Sequence, residues 1–299
     1  MYHNKKIMIE EEVYGIIPAT MSILKDDLTL DMEKTLKHAE DLLENGSNFV
    51  VLFGSTGQSQ LISSNEKKSF IKYCGKSKYK NRFIIGTGSN SIQENIEILK
   101  IAQDQGIYFS LIMGSAYFSY NEDGAYKWFS KLIDALPKIK ILIYNFEKLS
   151  GFKFSVQLVE RLAKDYSQII GIKDSTANLY DKLKIPNFKI FVGSEVRLLE
   201  NLELGGAGLI SATVNITSLL ARDVYESFKK GKVARDQNEH LVAVRKVFDN
   251  YNLISALHSY KAEENSFYNN IIPPLQLLSD EDKIQLFEEL KKINFKKAA

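Results

Sequence analysis

An apolar run, residues 168–173, ends on Lys173, whose amine could attack a carbonyl carbon as a nucleophile. That role requires a deprotonated amine near neutral pH, which burial promotes and a nearby carboxylate opposes. Asp174 follows directly, but side chains alternate along a strand, so we expect its carboxylate to face away from Lys173. The alternative is a solvated strand end, so the rest of the chain must supply a pocket.

Two further groups could complete such a site. Residues 54–57, Gly-Ser-Thr-Gly, can present backbone N–H groups and two hydroxyls to a small carboxylate. Tyr144 ends the strand before the Lys173 strand, so its phenol could lie beside the amine. Taken singly, the usual interpretations are a plain tight turn and a packing tyrosine with its hydroxyl in water. Together, an amine, a carboxylate cradle and a proton-carrying phenol are the parts of Schiff-base chemistry on a 2-oxo acid.

The elements that must position these residues alternate between strands and helices. Eight apolar runs follow one another at steps of about 20 to 35 residues, which predicts an α/β fold, a (β/α)8 TIM barrel with a C-terminal helical extension. An open doubly wound sheet is the competing fold, but residues 19–22, Ala-Thr-Met-Ser, form no Gly-rich phosphate loop. No linker divides the chain, so we expect one structural unit. The barrel would occupy residues 1–217, and the last barrel helix and the extension would occupy 218–299.

Three helix predictions depend on pattern alone. We expect a short helix at residues 179–183 after the Lys173 strand and one continuous helix at residues 233–259. A last helix is predicted at residues 280–292, after an irregular connection at Pro273 and Pro274.

Composition excludes several classes of partner. The 39 basic and 37 acidic residues of this 299-residue chain leave a net charge of +2, so nothing favours nucleic acid or an anionic membrane. Four widely spaced histidines form no metal-ligand pattern. No apolar run approaches the roughly 18 residues that span a bilayer, and the N-terminus lacks the apolar core of a signal peptide. With Cys74 as the single cysteine, we expect a cytoplasmic protein without metal or membrane.

Active sites of barrels lie at the carboxyl ends of the strands. Those ends bring Gly193 and Ile210 to the mouth that also holds Lys173, Tyr144 and residues 54–57. The set contains no paired carboxylates and no phosphate loop. Schiff-base chemistry needs no metal or organic cofactor, because the protonated imine acts as the electron sink.

The same residues resemble the dihydrodipicolinate synthase/N-acetylneuraminate lyase family. The resemblance runs from about Tyr14 to Asn215 and rests on Gly-Ser-Thr-Gly at 54–57, Tyr144-Asn145 with Ser150-Gly151, Gly171 to Ser175, and the series from Gly193 through residues 205–211 to Asn215. It implies a class I lyase or aldolase, cleaving or forming a carbon–carbon or carbon–oxygen bond, that uses pyruvate or a related 2-oxo acid and an aldehyde.

The resemblance also implies roles by position. Lys173 would be the Schiff-base lysine and Tyr144 the proton donor and acceptor. Ser55 and Thr56 would bind the pyruvate carboxylate. Ile210, through its backbone, and Gly193 would line the same site.

Tyr117 matches the family's tyrosine that crosses a subunit interface and completes a hydroxyl relay through Ser55 to Tyr144. The resemblance therefore implies a homo-oligomer, a tetramer or a dimer.

Departures from the family pattern leave the substrate open. Leu149 stands where the synthase branch carries an arginine for the carboxylate of its second substrate, and Lys148 is the nearby cation that could compensate. The sialic-acid lyase branch is not matched either. Glu195-Val196 stands where that branch carries an Asp-Glu pair, and Ala212 stands where it carries a polyol-binding serine. The alternatives are an N-acetylneuraminate lyase-like enzyme, a 2-keto-3-deoxy sugar acid aldolase or dehydratase, and a non-catalytic 2-oxo-acid sensor.

Overall fold

Eight short parallel strands form the centre of the molecule in the computed structural model, which describes residues 12–232 and 234–295. The strands are β1 (Gly15–Pro18), β2 (Val50–Leu52), β3 (Phe83–Gly86), β4 (Phe109–Met113), β5 (Lys140–Asn145), β6 (Ile169–Asp174), β7 (Lys189–Val192) and β8 (Gly208–Ser211). Each strand from β2 to β7 pairs with the strand that follows it in the chain, and β8 also pairs with β1. A bridge from Ala19 to Val51 joins the remaining edges, so the predicted barrel is confirmed.

Helices surround the barrel and extend it at the C-terminal end. They are α1 (Met32–Glu44), α2 (Ser64–Cys74), α3 (Ile92–Asp104), α4 (Glu122–Ala135), α5 (Glu147–Ser150), α6 (Val156–Asp165), α7 (Leu198–Glu203), α8 (Val214–Lys229), α9 (Arg235–Asp249), α10 (Leu253–Ala262) and α11 (Asp280–Lys292). Polar side chains fix where several begin. Asp31, Ser91 and Ser155 each accept a backbone N–H from the first turn of the helix that follows.

The alternation of side chains along the strands creates two apolar layers. Inside the barrel, Val51, Leu142 and Phe191 belong to one buried cluster, and Tyr144 and Ile210 join it near the carboxyl ends of their strands. The outward-facing residues pack against the helices in separate clusters. The barrel interior is therefore filled by side chains, which leaves the mouth as the place where barrels of this kind bind ligands.

The prediction of a short helix at residues 179–183 was wrong. These residues form turns, with a single helical turn closed by the N–H groups of Lys182 and Leu183 on the Leu179 carbonyl. Pro186 follows too closely for the turn to continue, because proline lacks an N–H and disfavours a helical residue before it.

The prediction of one helix at residues 233–259 was also wrong, and its first residue lies outside the described part of the chain. The structure has α9 and α10 instead, separated at residues 250–252. Asn252 is extended there, and its side chain accepts the N–H of Ser255 to begin α10. The apolar period continued across this break because both helices face the same core cluster.

Helix α8 connects the barrel to the C-terminal extension. Helix α8 starts at Val214 and crosses the predicted boundary between residues 217 and 218, with non-helical backbone at Thr217. The last predicted helix, residues 280–292, agrees with α11. Within the described residues, no helix has the length and apolarity to cross a membrane.

Candidate functional site at the barrel mouth

Lys173 and Tyr144 are neighbours across two adjacent strands. The β5–β6 register pairs Tyr144 with Lys173 directly, and both side chains are buried at 7% and 6% exposure. The Lys173 ammonium nitrogen lies 4.4 Å from the centre of the Tyr144 ring. The apolar strands thus hold an amine against a phenol ring at the mouth of the barrel.

The carboxylate next to Lys173 is fully engaged elsewhere. Asp174 accepts backbone N–H groups from Leu179 at 2.7 Å and Tyr180 at 2.9 Å. It also accepts the side-chain amide of Asn145 at 2.8 Å. Among the described residues no carboxylate pairs with Lys173. The structure therefore agrees with the expectation that the Asp174 carboxylate faces away from Lys173.

The Gly-Ser-Thr-Gly stretch forms a short 3-10 helix, Ser55–Gly57, directly after β2. Phe53 precedes it with a positive φ of 58°, a conformation that costs a bulky residue about 1–3 kcal/mol. Backbone also approaches closely here, since a Cβ on Gly86 would lie 2.3 Å from the Phe53 carbonyl oxygen. The Ser55 hydroxyl is buried without a hydrogen-bond partner, whereas Thr56 is buried at 6% exposure. An unpaired buried donor is available for a ligand oxygen.

A cavity of about 610 Å³ opens beside these residues. Ser55, Tyr144, Leu149 and Ala116 line it, together with part of the C-terminal extension. Lys173, Thr56, Gly193 and Ile210 do not line it. Lys173 instead lies against the ring of Tyr144, which does.

Gly193 and Ile210 lie outside the cavity lining and have different surroundings. Gly193 follows β7, and a Cβ there would lie 2.0 Å from the Ser175 hydroxyl oxygen, so only glycine fits. Ile210 is fully buried in the barrel interior and pairs with Ile17 of β1.

Tyr117 is separate from the other predicted residues within one chain. It has a φ of 81° and is 90% exposed, and its ring contacts that of Phe118, which is 74% exposed. Within the described chain it lines no part of the cavity, whereas its neighbour Ala116 does.

Lys67, which was not predicted from the sequence, is a second buried amine that lines the cavity. It is 2% exposed and donates to the Thr87 carbonyl at 2.7 Å. Burial lowers the pKa of Lys67 to about 8, although the Glu94 carboxylate opposes that shift. The signal was present, because Lys67 has helical spacing to the buried residues Phe70, Ile71 and Cys74 of α2.

The residues at the positions that distinguish the family branches differ in burial and in contacts. Glu195 is fully buried, accepts the hydroxyls of Ser211 and Thr213, and pairs with Arg245 at 3.1 Å. Leu149 is 45% exposed at the cavity, and the neighbouring Lys148 is exposed and does not line it.

Comparison with known proteins matches residues 12–293 to the model of the dihydrodipicolinate synthetase family. A 4-hydroxy-tetrahydrodipicolinate synthase of Archaeoglobus fulgidus is 31% identical over 231 residues, 76% of this chain and 78% of that protein. The enzyme of the same name from Methanothrix thermoacetophila is 28% identical over 292 residues, 94% of this chain and 97% of that protein.

Solved structures have the same architecture. YagE, a prophage protein of the dihydrodipicolinic acid synthase family from E. coli K12 solved in complex with pyruvate, superposes with a TM-score of 0.85. It is 26% identical, and the match covers 94% of this chain and 98% of that one.

Proposed function

Because the chain belongs to the dihydrodipicolinate synthetase family, we propose that it is a Schiff-base-forming lyase or aldolase acting on pyruvate or a related 2-oxo acid, with Lys173 as nucleophile. Membership of this family implies a pyruvate-dependent, aldolase-like lyase. The observation that carries the proposal is the buried Lys173 amine over the Tyr144 ring, with the adjacent Asp174 carboxylate occupied by backbone N–H groups. YagE, a relative by fold and sequence, was solved with pyruvate.

In this mechanism the Lys173 nitrogen attacks C2 of the 2-oxo acid and forms a carbinolamine. Loss of water gives a protonated imine, and removal of a proton from C3 gives an enamine. The enamine carbon attacks an aldehyde, whose oxygen takes up a proton, and hydrolysis of the imine releases product and free lysine. Tyr144 would carry the protons, because its phenol is the titratable group beside Lys173. The iminium is the electron sink, so the proposed reaction needs no cofactor.

Ser55 and Thr56 are the proposed ligands of the substrate carboxylate. The Ser55 hydroxyl is buried and unpaired, and it lines the cavity together with Tyr144. We place Gly193 and the backbone of Ile210 on the deeper side of the same site, since both lie at the carboxyl ends of their strands.

Lys67 is a rival nucleophile, because it lines the cavity and its pKa is lowered to about 8. Its amine, however, already donates to the Thr87 carbonyl. Pyruvate and borohydride, followed by peptide mapping, distinguish the two amines, since reduction turns the imine into a stable secondary amine. We expect label on Lys173, retained in Lys67→Arg and lost in Lys173→Ala. Label on Lys67, or none on either lysine, would refute the proposal.

The proposed acceptor is an aldehyde whose distal end is neutral or hydroxylated. Leu149 offers the cavity no donor, and Lys148 is outside it. The 4-hydroxy-tetrahydrodipicolinate synthase reaction, named for the relatives, is the second candidate. Polyol recognition by Glu195 is disfavoured, because its carboxylate is buried against Ser211, Thr213 and Arg245.

We further propose a homo-oligomer, a tetramer or a dimer, in the cytoplasm. Tyr117 and Phe118 form an exposed aromatic pair on the loop after β4, and a second copy of the chain would cover them. The buried free thiol of Cys74 is compatible with a reducing compartment. Light scattering at assay concentration tests the assembly, and an active monomer would contradict it.

A further inference from the structure

Gln58 joins the Gly-Ser-Thr-Gly turn to the C-terminal extension. It directly follows Gly57, has a φ of 54°, and is 2% exposed. Its side-chain oxygen accepts the N–H of Ile272 at 2.8 Å, and its amide nitrogen lies 3.3 Å from His258 Nε2. These two contacts, which we call the Gln58 bridge, connect residues 200 and 214 positions apart.

The protonation of His258 fixes the direction of this bridge. His258 Nδ1 lies 2.8 Å from the Tyr268 carbonyl, which can only accept, so Nδ1 carries the proton. Burial lowers the pKa of His258 to about 4, so the ring is neutral and Nε2 offers a lone pair. The Gln58 amide must therefore donate to Nε2. That orientation presents its oxygen to Ile272.

A second histidine holds the same segment. His38 Nε2 donates to the Asn215 side-chain oxygen at 2.8 Å, because that oxygen can only accept. Its Nδ1 then accepts the Tyr268 hydroxyl at 2.9 Å. The charged groups acting on this cluster are Lys261, Asp41 and Glu264. Residues 268–272 are thus fixed at both ends by neutral side chains.

The segment held by the bridge forms part of the cavity wall. Pro274 and Leu275 line the cavity, and the Leu275 N–H bonds to the Ile272 carbonyl at 3.1 Å. Ile272 is therefore tied to Gln58 through its N–H and to Leu275 through its carbonyl.

We propose that Gln58 is a positioning residue for the acceptor: through Ile272 it holds Pro274 and Leu275 in the wall that an aldehyde contacts. The inference rests on the proposed function. Gln58 lines the cavity too, but its side chain is bonded to Ile272 and His258, and the turn at residues 54–57 has its own support from Ser22, whose hydroxyl donates to the Gly57 carbonyl at 2.7 Å. The bridge should therefore affect aldehyde binding and leave imine formation unchanged.

The test substitution is Gln58→Glu, which keeps the shape and removes the donor. The new carboxylate can still accept from Ile272 but faces the His258 lone pair. Near pH 8 the wall should loosen, and near pH 6 uptake of one proton by this pair should restore a donor and the wall. Gln60→Glu is the matched control, because Gln60 lines the same cavity and receives the same charge, while its side-chain oxygen accepts the Ser59 hydroxyl and not a group of residues 266–276.

Two measurements separate the bridge from the chemistry. Hydrogen exchange at residues 270–276, corrected for intrinsic rates, should accelerate about tenfold at pH 8 in Gln58→Glu, the scale of one buried hydrogen bond, and recover at pH 6. In Gln58→Glu the KM for glyceraldehyde should also rise about tenfold, over and above any change that Gln60→Glu causes. Deuterium exchange at the pyruvate methyl group and the borohydride-trapped imine should stay within about twofold of wild type, less than one such bond is worth.

Equal hydrogen exchange in the two variants, or an unchanged glyceraldehyde KM with accelerated exchange, would overturn the inference. A parallel loss of imine formation and of aldehyde turnover in Gln58→Glu would also overturn it. If Gln58→Glu does not fold, Leu275→Ala is the second test. It should raise the glyceraldehyde KM without changing pyruvate deuteration, and an unchanged KM would refute the proposed contact between the aldehyde and this wall. Absence of any trapped imine in the wild type would instead refute the proposed function, while hydrogen exchange would still report on the bridge.

Discussion

Leu149→Arg should create activity towards aspartate semialdehyde that the natural chain largely lacks. Leu149 lines the cavity and is 45% exposed, so a guanidinium there would reach the mouth without being buried. A planar fork of donors can hold both oxygens of a carboxylate, which the leucine side chain cannot do. The neighbouring Lys148 does not line the cavity and leaves this requirement unmet.

The size of the gain follows from the exposure. A hydrogen bond to a charged group is worth about 1.5–3 kcal/mol, and solvent screening at a half-exposed position selects the lower end. About 1.5 kcal/mol corresponds to roughly a tenfold rise in kcat/KM. Because the contact is solvent-accessible, the gain should shrink as the salt concentration rises.

The assay compares two aldehydes with pyruvate as the common substrate. Aspartate semialdehyde carries the carboxylate, and 3-aminopropanal has the same amine and aldehyde without it. Leu149→Arg should raise kcat/KM for the first alone, and Leu149→Met, of similar length with no donor, should raise neither. An equal gain for both aldehydes would show that shape, not charge, had changed. A wild-type kcat/KM near about 10⁵ M⁻¹s⁻¹ with aspartate semialdehyde would refute the whole argument.

Three further substitutions test the site and its supports. Tyr144→Phe should lower kcat by roughly 10²–10⁴-fold, the range for loss of a positioned proton carrier, and a change of only a few-fold would reduce Tyr144 to a wall. Arg245→Met leaves the fully buried Glu195 carboxylate unpaired and should cost about 3–5 kcal/mol in urea unfolding, whereas a loss below about 1 kcal/mol would contradict that burial. Burial lowers the pKa of His38 to about 4, so the unfolded chain binds its proton first and stability falls as pH drops from about 6.5 towards 4. His38→Gln should flatten this fall by up to about 1.4 kcal/mol per pH unit, and an equal effect of His240→Gln would refute the assignment.

The barrel was predictable because each of its strands is a short apolar run with both faces buried, which leaves a strong local signal. Lys173 and Tyr144 were predictable for the same reason, since they end two such runs on neighbouring strands. The break between α9 and α10 was not, because Asn250 and Asn252 interrupt an apolar face that continues on both sides.

The outer part of the candidate site could not be predicted because its contacts are distant in sequence. The wall residues Ile254, Pro274 and Leu275 reach the mouth only through the packing of the C-terminal extension. Gln58 likewise meets partners 200 and 214 residues away, and no local periodicity encodes such a pairing. Lys67 is a different case: its helical spacing to buried residues of α2 was a local signal, but that helix is polar, and composition does not distinguish a buried lysine there from a solvated one.

Two buried carboxylates, Asp174 and Glu195, follow the apolar parts of neighbouring strands, and both are held by hydrogen bonds to other groups. Asp174 is held by backbone N–H groups, and Glu195 by hydroxyls and Arg245. The proposed substrate therefore brings its own negative charge to Lys173, where the Ser55 hydroxyl and nearby backbone would receive it, while the Lys67 amine in the same cavity is already bonded to the Thr87 carbonyl. A carboxylate held by neutral donors keeps its attraction for a neighbouring positive charge, and the iminium is that charge. Recognition of the 2-oxo acid and stabilisation of its imine would then be one electrostatic arrangement, which explains why an amide or ester of pyruvate should form the imine poorly.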